Sequence, residues 1–177
     1  MSLPTLITER LLLRERSLGD VPAYLEMDGD PQVMRYVGDG RVPDPAVHAE
    51  RMKQRIAAGG EDGLGVWSVF ERDRPAEFLG CVMLSPVARL SRIELAYRYR
   101  QPAWGRGIAA EAGAVCLDYG FDTLKLNEIV ALAYPENLRS QRVIAKLGFM
   151  PSGGLLADGI DLLLYRLERR SHLARRR

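Results

Sequence analysis

The chain has 177 residues, of which 47% are hydrophobic and 27% charged, and its formal net charge is +2. That composition is typical of a globular protein, and so small a charge argues against a surface that binds nucleic acid throughout. No apolar run approaches the ~20 residues of a membrane-spanning helix, and no charged-then-apolar signal region opens the chain, so we expect a cytoplasmic protein. The length predicts a single domain over residues 1–177, with a basic tail over about residues 168–177.

Capping and turn signals divide the first half of the chain into short elements. Ser17 can cap a helix, Gly29 and Pro31 break it, and Gly59 and Gly60 end a later helix. The predicted elements of this half are a strand over residues 6–14, helices over residues 20–27, 31–36 and 46–58, and strands over residues 66–71 and 78–84 around a turn near residues 73–75.

An alternating strand over residues 91–99 opens the second half. One face carries Ile93, Leu95, Tyr97 and Tyr99, and the other carries Glu94, Ala96 and Arg98. A loop with Gly105 and Gly107 follows, and a helix with apolar residues at helical spacing begins at Ile108. A strand over residues 128–134, a helix over residues 138–147 and a strand over residues 161–167 complete the order. We predict an α+β fold with a mixed sheet flanked by helices.

The glycine-bearing loop is a candidate phosphate site. A helix that begins directly after such a loop presents backbone N–H groups at the positive end of its dipole. The spacing Gly105-x-Gly107-x-x-Ala110 formally matches a dinucleotide fingerprint. However, about a hundred residues precede the loop, and the next strand ends in Tyr134 rather than in an acidic residue, which disfavours a nucleotide-binding oxidoreductase.

Several motifs together resemble the GNAT acetyltransferases, and the branch they resemble most is the RimJ/RimL-like one, typified by ribosomal-protein N-terminal acetyltransferases. The motifs are Trp-Gly-Arg-Gly-Ile-Ala at residues 104–109, Asn-Leu-Arg-Ser at residues 137–140, Lys-Leu-Gly-Phe at residues 146–149, and the runs at residues 8–14, 30–36 and 65–69. The resemblance covers nearly the whole chain. It implies a strongly twisted sheet whose middle strands splay apart, acetyl-CoA as cosubstrate, an amine as acceptor, and direct attack without a covalent acyl-enzyme.

The resemblance also assigns a set of residues to acetyl-CoA. Backbone amides of the glycine loop would line the pyrophosphate, two arginines would contact phosphates, an asparagine would contact the pantetheine amides, and strand N–H groups of two tyrosines would polarise the acetyl carbonyl. The assigned residues are Tyr97, Tyr99, Trp104, Gly105, Arg106, Gly107, Ile108, Ala109, Asn137, Arg139 and Ser140. Trp104 stands where the wider superfamily has arginine or glutamine, as is typical of this branch. Asn137 has a second interpretation, as a helix N-cap.

Two residues are catalytic candidates. Glu94 lies on the strand that should carry the thioester, and a carboxylate raised in pKa by an apolar environment can take the proton of an amine. The alternative is a plain ion pair with Arg92 or Arg98. Ile144 occupies the position of the tyrosine acid used by many GNAT enzymes. Ser140 matches a serine that relatives in the resembled branch use instead, so the resemblance implies Ser140 as the acid; its alternative is a structural role at the helix start.

The remaining polar features predict little chemistry. We expect Cys81 and Cys116 to be buried thiols, and His48 and His172 to be surface residues without metal-ligand spacing. The arginine-rich tail could touch RNA or an acidic partner, but a solvated, frayed terminus is the expectation. The identity of the acceptor stays undetermined, although residues 28–44 and 152–159 should shape its site. The oligomeric state is also undetermined, and a homodimer is one of the candidate states. A rival function is a non-catalytic acyl-CoA-binding domain.

Overall fold

One eight-stranded mixed sheet organises the computed structural model, which describes residues 2–60 and 62–176. The strand order is β1-β2-β3-β4-β5-β6-β8-β7, and every neighbouring pair is antiparallel except β5 and β6, which are parallel. The strands are β1 (Leu6–Ile7), β2 (Leu11–Glu15), β3 (Gly65–Glu71), β4 (Arg74–Val87), β5 (Arg92–Tyr99), β6 (Glu128–Ala133), β7 (Met150–Ala157) and β8 (Ile160–Glu168). The α+β prediction is confirmed.

Within the described residues, six α-helices flank this sheet. They are α1 (Val21–Asp28), α2 (Pro31–Met34), α3 (Pro45–Ala58), α4 (Ile108–Asp118), α5 (Leu138–Leu147) and α6 (Arg169–Arg175). Two hydrophobic clusters lie on the two faces of the sheet. The first cluster joins the sheet to α4 and α5 through residues such as Ile108 and Ile144, and the second joins it to α1 and α3 through Tyr24 and Met52. Both cysteines are buried and free, as expected.

The two faces of β5 divide as the alternation predicts. Leu95 and Tyr99 lie in the first cluster, with Ile93 and Tyr97 packed against it. On the opposite face, Arg98 stands beside Cys81 of β4, which belongs to the second cluster. Glu94 therefore faces the α1 and α3 side, because it shares its face with Arg98.

The pairing of β5 is strongly asymmetric. Towards β4 it is continuous, from Gly80 opposite Tyr99 to Val87 opposite Arg92. Towards β6 the register has one pair, Glu94 with Val130. The parallel neighbours thus separate beyond this point, which leaves a gap between their carboxyl-terminal halves.

Some predicted boundaries are wrong. The strand expected over residues 6–14 is a hairpin, because the Thr8 hydroxyl accepts a hydrogen bond from the Leu11 amide at 2.9 Å and the chain turns back there. Residues 152–159 include most of β7, an edge strand that pairs only with β8. Residues 150–154 are exposed, so this strand lacks the alternation that reveals a half-buried strand.

The expectation of a frayed basic tail is also wrong. Residues 169–175 form α6, on which the buried His172 stacks against Phe121 with ring centroids 4.9 Å apart. The His172 Nε2 lies 2.7 Å from the Asp118 carboxylate, and Arg176 forms ion pairs with Asp118 and Asp122. These carboxylates near the end of α4 neutralise part of the positive charge of the basic segment and hold that segment against α4. The prediction for Arg177 lies outside the described residues.

Gly80 gives a test of the close approach of β4 to β5. Its φ is +151°, and a Cβ atom placed there would lie 2.6 Å from the Tyr99 Cα atom and against the Arg98 carbonyl. We expect Gly80→Ala to lower the free energy of unfolding by about 2 kcal/mol or more, because backbone strain and a backbone clash add. Urea unfolding measures this. Gly154→Ala is the control: its Cβ has ordinary contact and it should change stability by less than about 0.5 kcal/mol. Equal stabilities of the two variants would contradict the close approach.

Candidate active site

The glycine loop delivers the chain from β5 to α4 through two left-handed residues. Gly105 and Gly107 have φ of 74° and 79°, and Gly107 is the N-cap of α4. A Cβ at Gly105 would meet no atom within 4 Å, so the backbone angle rather than space favours glycine here. The first amides of α4 have no intrahelical acceptor, so the N–H groups around Ile108 and Ala109 are available to an anion.

Ion pairs fix the outside of this loop. Arg10 binds the Glu111 carboxylate on α4, and its Nη1 donates to the Arg106 carbonyl oxygen at 3.1 Å. The Arg106 guanidinium pairs with Glu71 of β3. Arg106 is therefore already paired, and it must share or leave Glu71 to reach a phosphate.

Trp104 connects the loop to the start of α5. Its Nε1 donates to the Tyr99 carbonyl oxygen at 2.8 Å, and the Arg139 guanidinium lies 5.1 Å from the centre of the indole ring. The two segments that follow β5 and β6 are thus held side by side, as expected because parallel strands end at the same edge of a sheet.

Asn137 and Ser140 form the N-terminal turn of α5. The Asn137 side-chain oxygen accepts a hydrogen bond from the Ser140 amide at 3.1 Å, so the capping interpretation describes this oxygen. The side-chain NH₂ group of Asn137 is the part left to donate to a ligand. Ser140 lies in the same turn and presents its hydroxyl towards β5.

The Tyr97 hydroxyl contacts Ser140, a relationship that the sequence analysis missed. The phenol oxygen lies 3.0 Å from the Ser140 Oγ and 3.3 Å from the Ser140 carbonyl oxygen, and either oxygen can accept its proton. Burial raises the pKa of Tyr97 to about 12, so the phenol keeps its proton at any physiological pH. The alternation of β5 places Tyr97 towards the same cluster as α5, but only a backbone role was expected of it.

Glu94 is isolated from the arginines that could have paired with it. Arg92 binds Glu128 at 2.7 Å and Arg98 binds Asp28 at 2.7 Å, so the ion-pair alternative does not describe Glu94. Burial raises the pKa of Glu94 to about 7, and a hydrogen bond from the Leu132 backbone partly opposes that rise. A carboxylate near half-ionised at neutral pH can accept a proton from an amine.

A buried ion cluster supports the other end of this strand face. Arg98 donates to the two Asp28 oxygens at 2.7 and 2.8 Å, and His48 Nε2 lies 2.7 Å from Asp28 Oδ2. His48 is therefore a packed residue rather than the surface histidine expected. Asp28, which lies in the segment expected to shape the acceptor site, is buried and already paired.

The other carboxylates of the expected acceptor segment have local roles. Asp30 and Asp44 cap α2 and α3, and Asp39 accepts from the Arg41 amide at 3.2 Å. The segment also reaches the end of β6. The rings of Tyr36 and Tyr134 lie 5.6 Å apart, and the Tyr134 hydroxyl donates to the Gly38 carbonyl. Residues 36–38 thus stand beside the strand end at which β5 and β6 separate.

A metal-ligand cluster, a membrane-spanning helix and a nucleophilic Cys116 find no basis in the part of the chain that the structure describes. In residues 2–60 and 62–176 no group of three or more metal-ligand side chains converges, and no helix is long and apolar enough to cross a membrane. Burial raises the pKa of the Cys116 thiol and keeps it protonated, so Cys116 is unsuited to nucleophilic attack.

Comparison with known proteins gives one consistent family. The family model described as "Acetyltransferase (GNAT) domain" matches residues 10–150. The uncharacterized N-acetyltransferase p20 of Bacillus licheniformis is 29% identical over 95% of this chain and 98% of its own length. The uncharacterized protein YkkB of Bacillus subtilis is 32% identical over 81% and 83%. A crystal structure of a GNAT-family acetyltransferase from Bacillus anthracis has a TM-score of 0.80 at 24% identity, over 94% and 99%.

Neither rival function finds support in these matches. The sheet is mostly antiparallel, with one parallel pair, whereas a dinucleotide-binding fold has a mostly parallel sheet.

The raised pKa of Glu94 predicts a stability change with pH. Between the ordinary pKa of 4.5 and the folded value of about 7, the folded chain keeps a proton that the unfolded chain loses. The contribution of this residue to the free energy of unfolding is therefore fully present below about pH 4.5 and is lost as the pH rises through about 7. Glu94→Gln cannot ionise, so relative to the parent it should gain up to about 3 kcal/mol between pH 4 and 8.5.

Urea unfolding of both proteins at the two pH values measures that difference. Glu9→Gln changes an exposed carboxylate and is the matched control, which should follow the parent. A Glu94→Gln variant that also follows the parent would show that Glu94 titrates as an ordinary carboxylate.

Proposed function

The chain belongs to the GNAT acetyltransferase family and is an acetyl-CoA-dependent N-acetyltransferase, and we propose that it transfers acetyl to a primary amine by direct attack on the bound thioester. The observation that carries this proposal is the Glu94 carboxylate, which has a pKa of about 7 and lies where β5 and β6 separate. Both substrates are held together, and no acyl-enzyme forms.

The gap between β5 and β6 is the proposed place of the thioester and its pantetheine arm. Beyond Glu94 the facing edges lack ladder partners, and backbone N–H and C=O groups require hydrogen bonds. A peptide-like arm can supply them, with the N–H groups of Tyr97 and Tyr99 near the acetyl carbonyl and the Asn137 amide beside the arm.

The glycine loop is the proposed pyrophosphate site. The amides of residues 105–109 would line the space before α4, where the helix dipole favours an anion. Arg139, stacked on Trp104, can add a phosphate contact, and Arg106 can do so if it leaves Glu71.

The two catalytic candidates lie on opposite faces of the sheet. Glu94 faces the α1 and α3 side, whereas Ser140 belongs to α5, on the side of the first cluster. The amine enters from the Glu94 side, its nitrogen attacks the carbonyl carbon, and Glu94 takes its proton. The carbon–sulfur bond then breaks, and Ser140 gives its hydroxyl proton to the sulfur. Exchange with water restores both residues.

The acceptor is proposed to be a protein N-terminus or a small primary amine that enters beside Tyr36 and Tyr134. The RimJ/RimL-like branch remains our proposal for the subfamily, supported by Trp104 in the loop and by Ser140 with Ile144 in place of the tyrosine acid. Residues 1–177 are proposed to act as one domain. Thiol release from acetyl-CoA with a panel of peptides and small amines would distinguish the acceptors.

Replacement of Gly107 tests the cofactor site. Gly107→Val should weaken acetyl-CoA binding at least about tenfold, or ~1.4 kcal/mol, because the side chain strains the loop and blocks approach to its amides. Calorimetric titration measures the affinity. Gly159→Val is the control, since Gly159 has φ of 81° and no atom within 4 Å of a Cβ placed there, and it lies in the turn between β7 and β8, outside the glycine loop. Unchanged affinity in folded Gly107→Val would remove the proposed site.

Replacement of Glu94 tests the base. Glu94→Gln should lower the rate at pH 7 by about 100-fold, because the amide cannot accept the proton. The parent rate should rise through pH 7, whereas the deficit of the variant should shrink at higher pH, where more of the amine is already neutral. Steady-state thiol release from pH 5.5 to 9.5 measures both profiles. If rate and profile match those of the parent and of Glu9→Gln, Glu94 is not the base.

A further inference from the structure

Tyr97 has one proton and two acceptors within reach, both on the same residue. Its phenol lies 3.3 Å from the Ser140 carbonyl oxygen and 3.0 Å from the Ser140 Oγ. Ser140 also has one hydroxyl proton. The pair therefore has two hydrogen-bond arrangements, which differ in where the serine proton points.

In the first arrangement the phenol donates to the Ser140 carbonyl, and the serine hydroxyl donates to the phenol oxygen. The serine proton is then engaged and cannot serve a ligand. In the second arrangement the phenol donates to Oγ, and the serine proton is free to point away from Tyr97. Only the second arrangement supplies a proton to a neighbouring acceptor.

We propose that Tyr97 is a positioning residue that donates a hydrogen bond to the Ser140 Oγ and thereby directs the serine proton to the departing sulfur. This inference rests on the function proposed above, in which Ser140 protonates the sulfur. Tyr97 acts through Ser140, whose hydroxyl proton is the one that goes to the sulfur.

The chemistry favours this arrangement during the reaction. As the carbon–sulfur bond breaks, its electron pair moves to sulfur and the Ser140 proton follows. Negative charge grows on Oγ, so the hydrogen bond from the phenol becomes charge-assisted and strengthens. Before the reaction both groups are neutral and the bond is weaker. An interaction that strengthens only in the transition state raises kcat and leaves substrate affinity unchanged.

The burial of Tyr97 is consistent with such a role. With its pKa raised to about 12, the phenol is protonated throughout the working range of the enzyme and so has a proton to donate to Oγ. Its position on β5 is fixed by the register with β4, where it lies opposite Val82. The donor therefore needs no movement of the strand to reach Oγ.

A double-mutant cycle tests the inference. We expect Ser140→Ala to lower single-turnover acetyl transfer by about 10 to 100-fold and Tyr97→Phe to lower it by about tenfold, with the KM for acetyl-CoA within about twofold of the parent. In the Ser140→Ala background, Tyr97→Phe should have no further effect, because its target is gone.

Tyr119→Phe is the matched control, since the Tyr119 phenol also donates to a backbone carbonyl, that of Gly63, at 3.0 Å. It should leave the rate unchanged. Thermal melting establishes that each variant is folded.

The outcomes separate the two levels of the proposal. A Ser140→Ala variant as fast as the parent overturns the proposed acid, and the role of Tyr97 with it. Two results overturn only the positioning role. In the first, Ser140→Ala is slow, but adding Tyr97→Phe lowers its rate by the same factor as in the parent. In the second, Tyr97→Phe alone does not lower the rate. A rise in the KM for acetyl-CoA at unchanged kcat also overturns it, because that result indicates uniform binding.

Discussion

The incomplete pairing of β5 with β6 is the constraint on which the site depends. β5 is fully paired with β4 along one edge, while along the other the register holds at Glu94 and Val130 alone. Since the two strands are parallel, the loop after β5 and the turn before α5 emerge at the same edge of the sheet. The Trp104–Arg139 stack and the Tyr97–Ser140 contact connect them across the gap. The gap, the candidate anion site and the catalytic candidates thus all follow from one parallel pair.

The pKa of Glu94 depends on the ion pairs that its two neighbouring arginines on β5 form with other carboxylates. Asp28 and Glu128 hold Arg98 and Arg92, so neither cation lies free beside Glu94. An unpaired arginine within a few ångströms would favour the ionised carboxylate and lower its pKa. Burial dominates instead, and the pKa rises to about 7. The Asp28–Arg98 pair therefore keeps that cation from lowering the pKa of Glu94, which stays suited to the proton transfer proposed above.

Local pattern predicted much of this site, and non-local contacts account for what it missed. The alternation of β5, the glycines before α4 and the asparagine before α5 all carry local signals, because strand faces, turns and caps depend on near neighbours. The pairing of Asp28 with Arg98 joins residues 70 positions apart, and that of Tyr97 with Ser140 joins residues 43 apart. No periodicity encodes such contacts. α6 was missed because its arginines suggested solvent, whereas Asp118 and Asp122 neutralise part of that charge.

The docking of α6 has a consequence for the order in which this protein is completed during synthesis. Residues 169–176 are made after all eight strands, yet His172 from this segment covers Phe121 and binds Asp118 at the end of α4. Until that segment leaves the ribosome, the aromatic ring and the carboxylate beneath it lack their partner. The end of α4 therefore stays uncovered in the nascent chain until this last segment emerges, and exposed apolar surface of that kind is what chaperones bind.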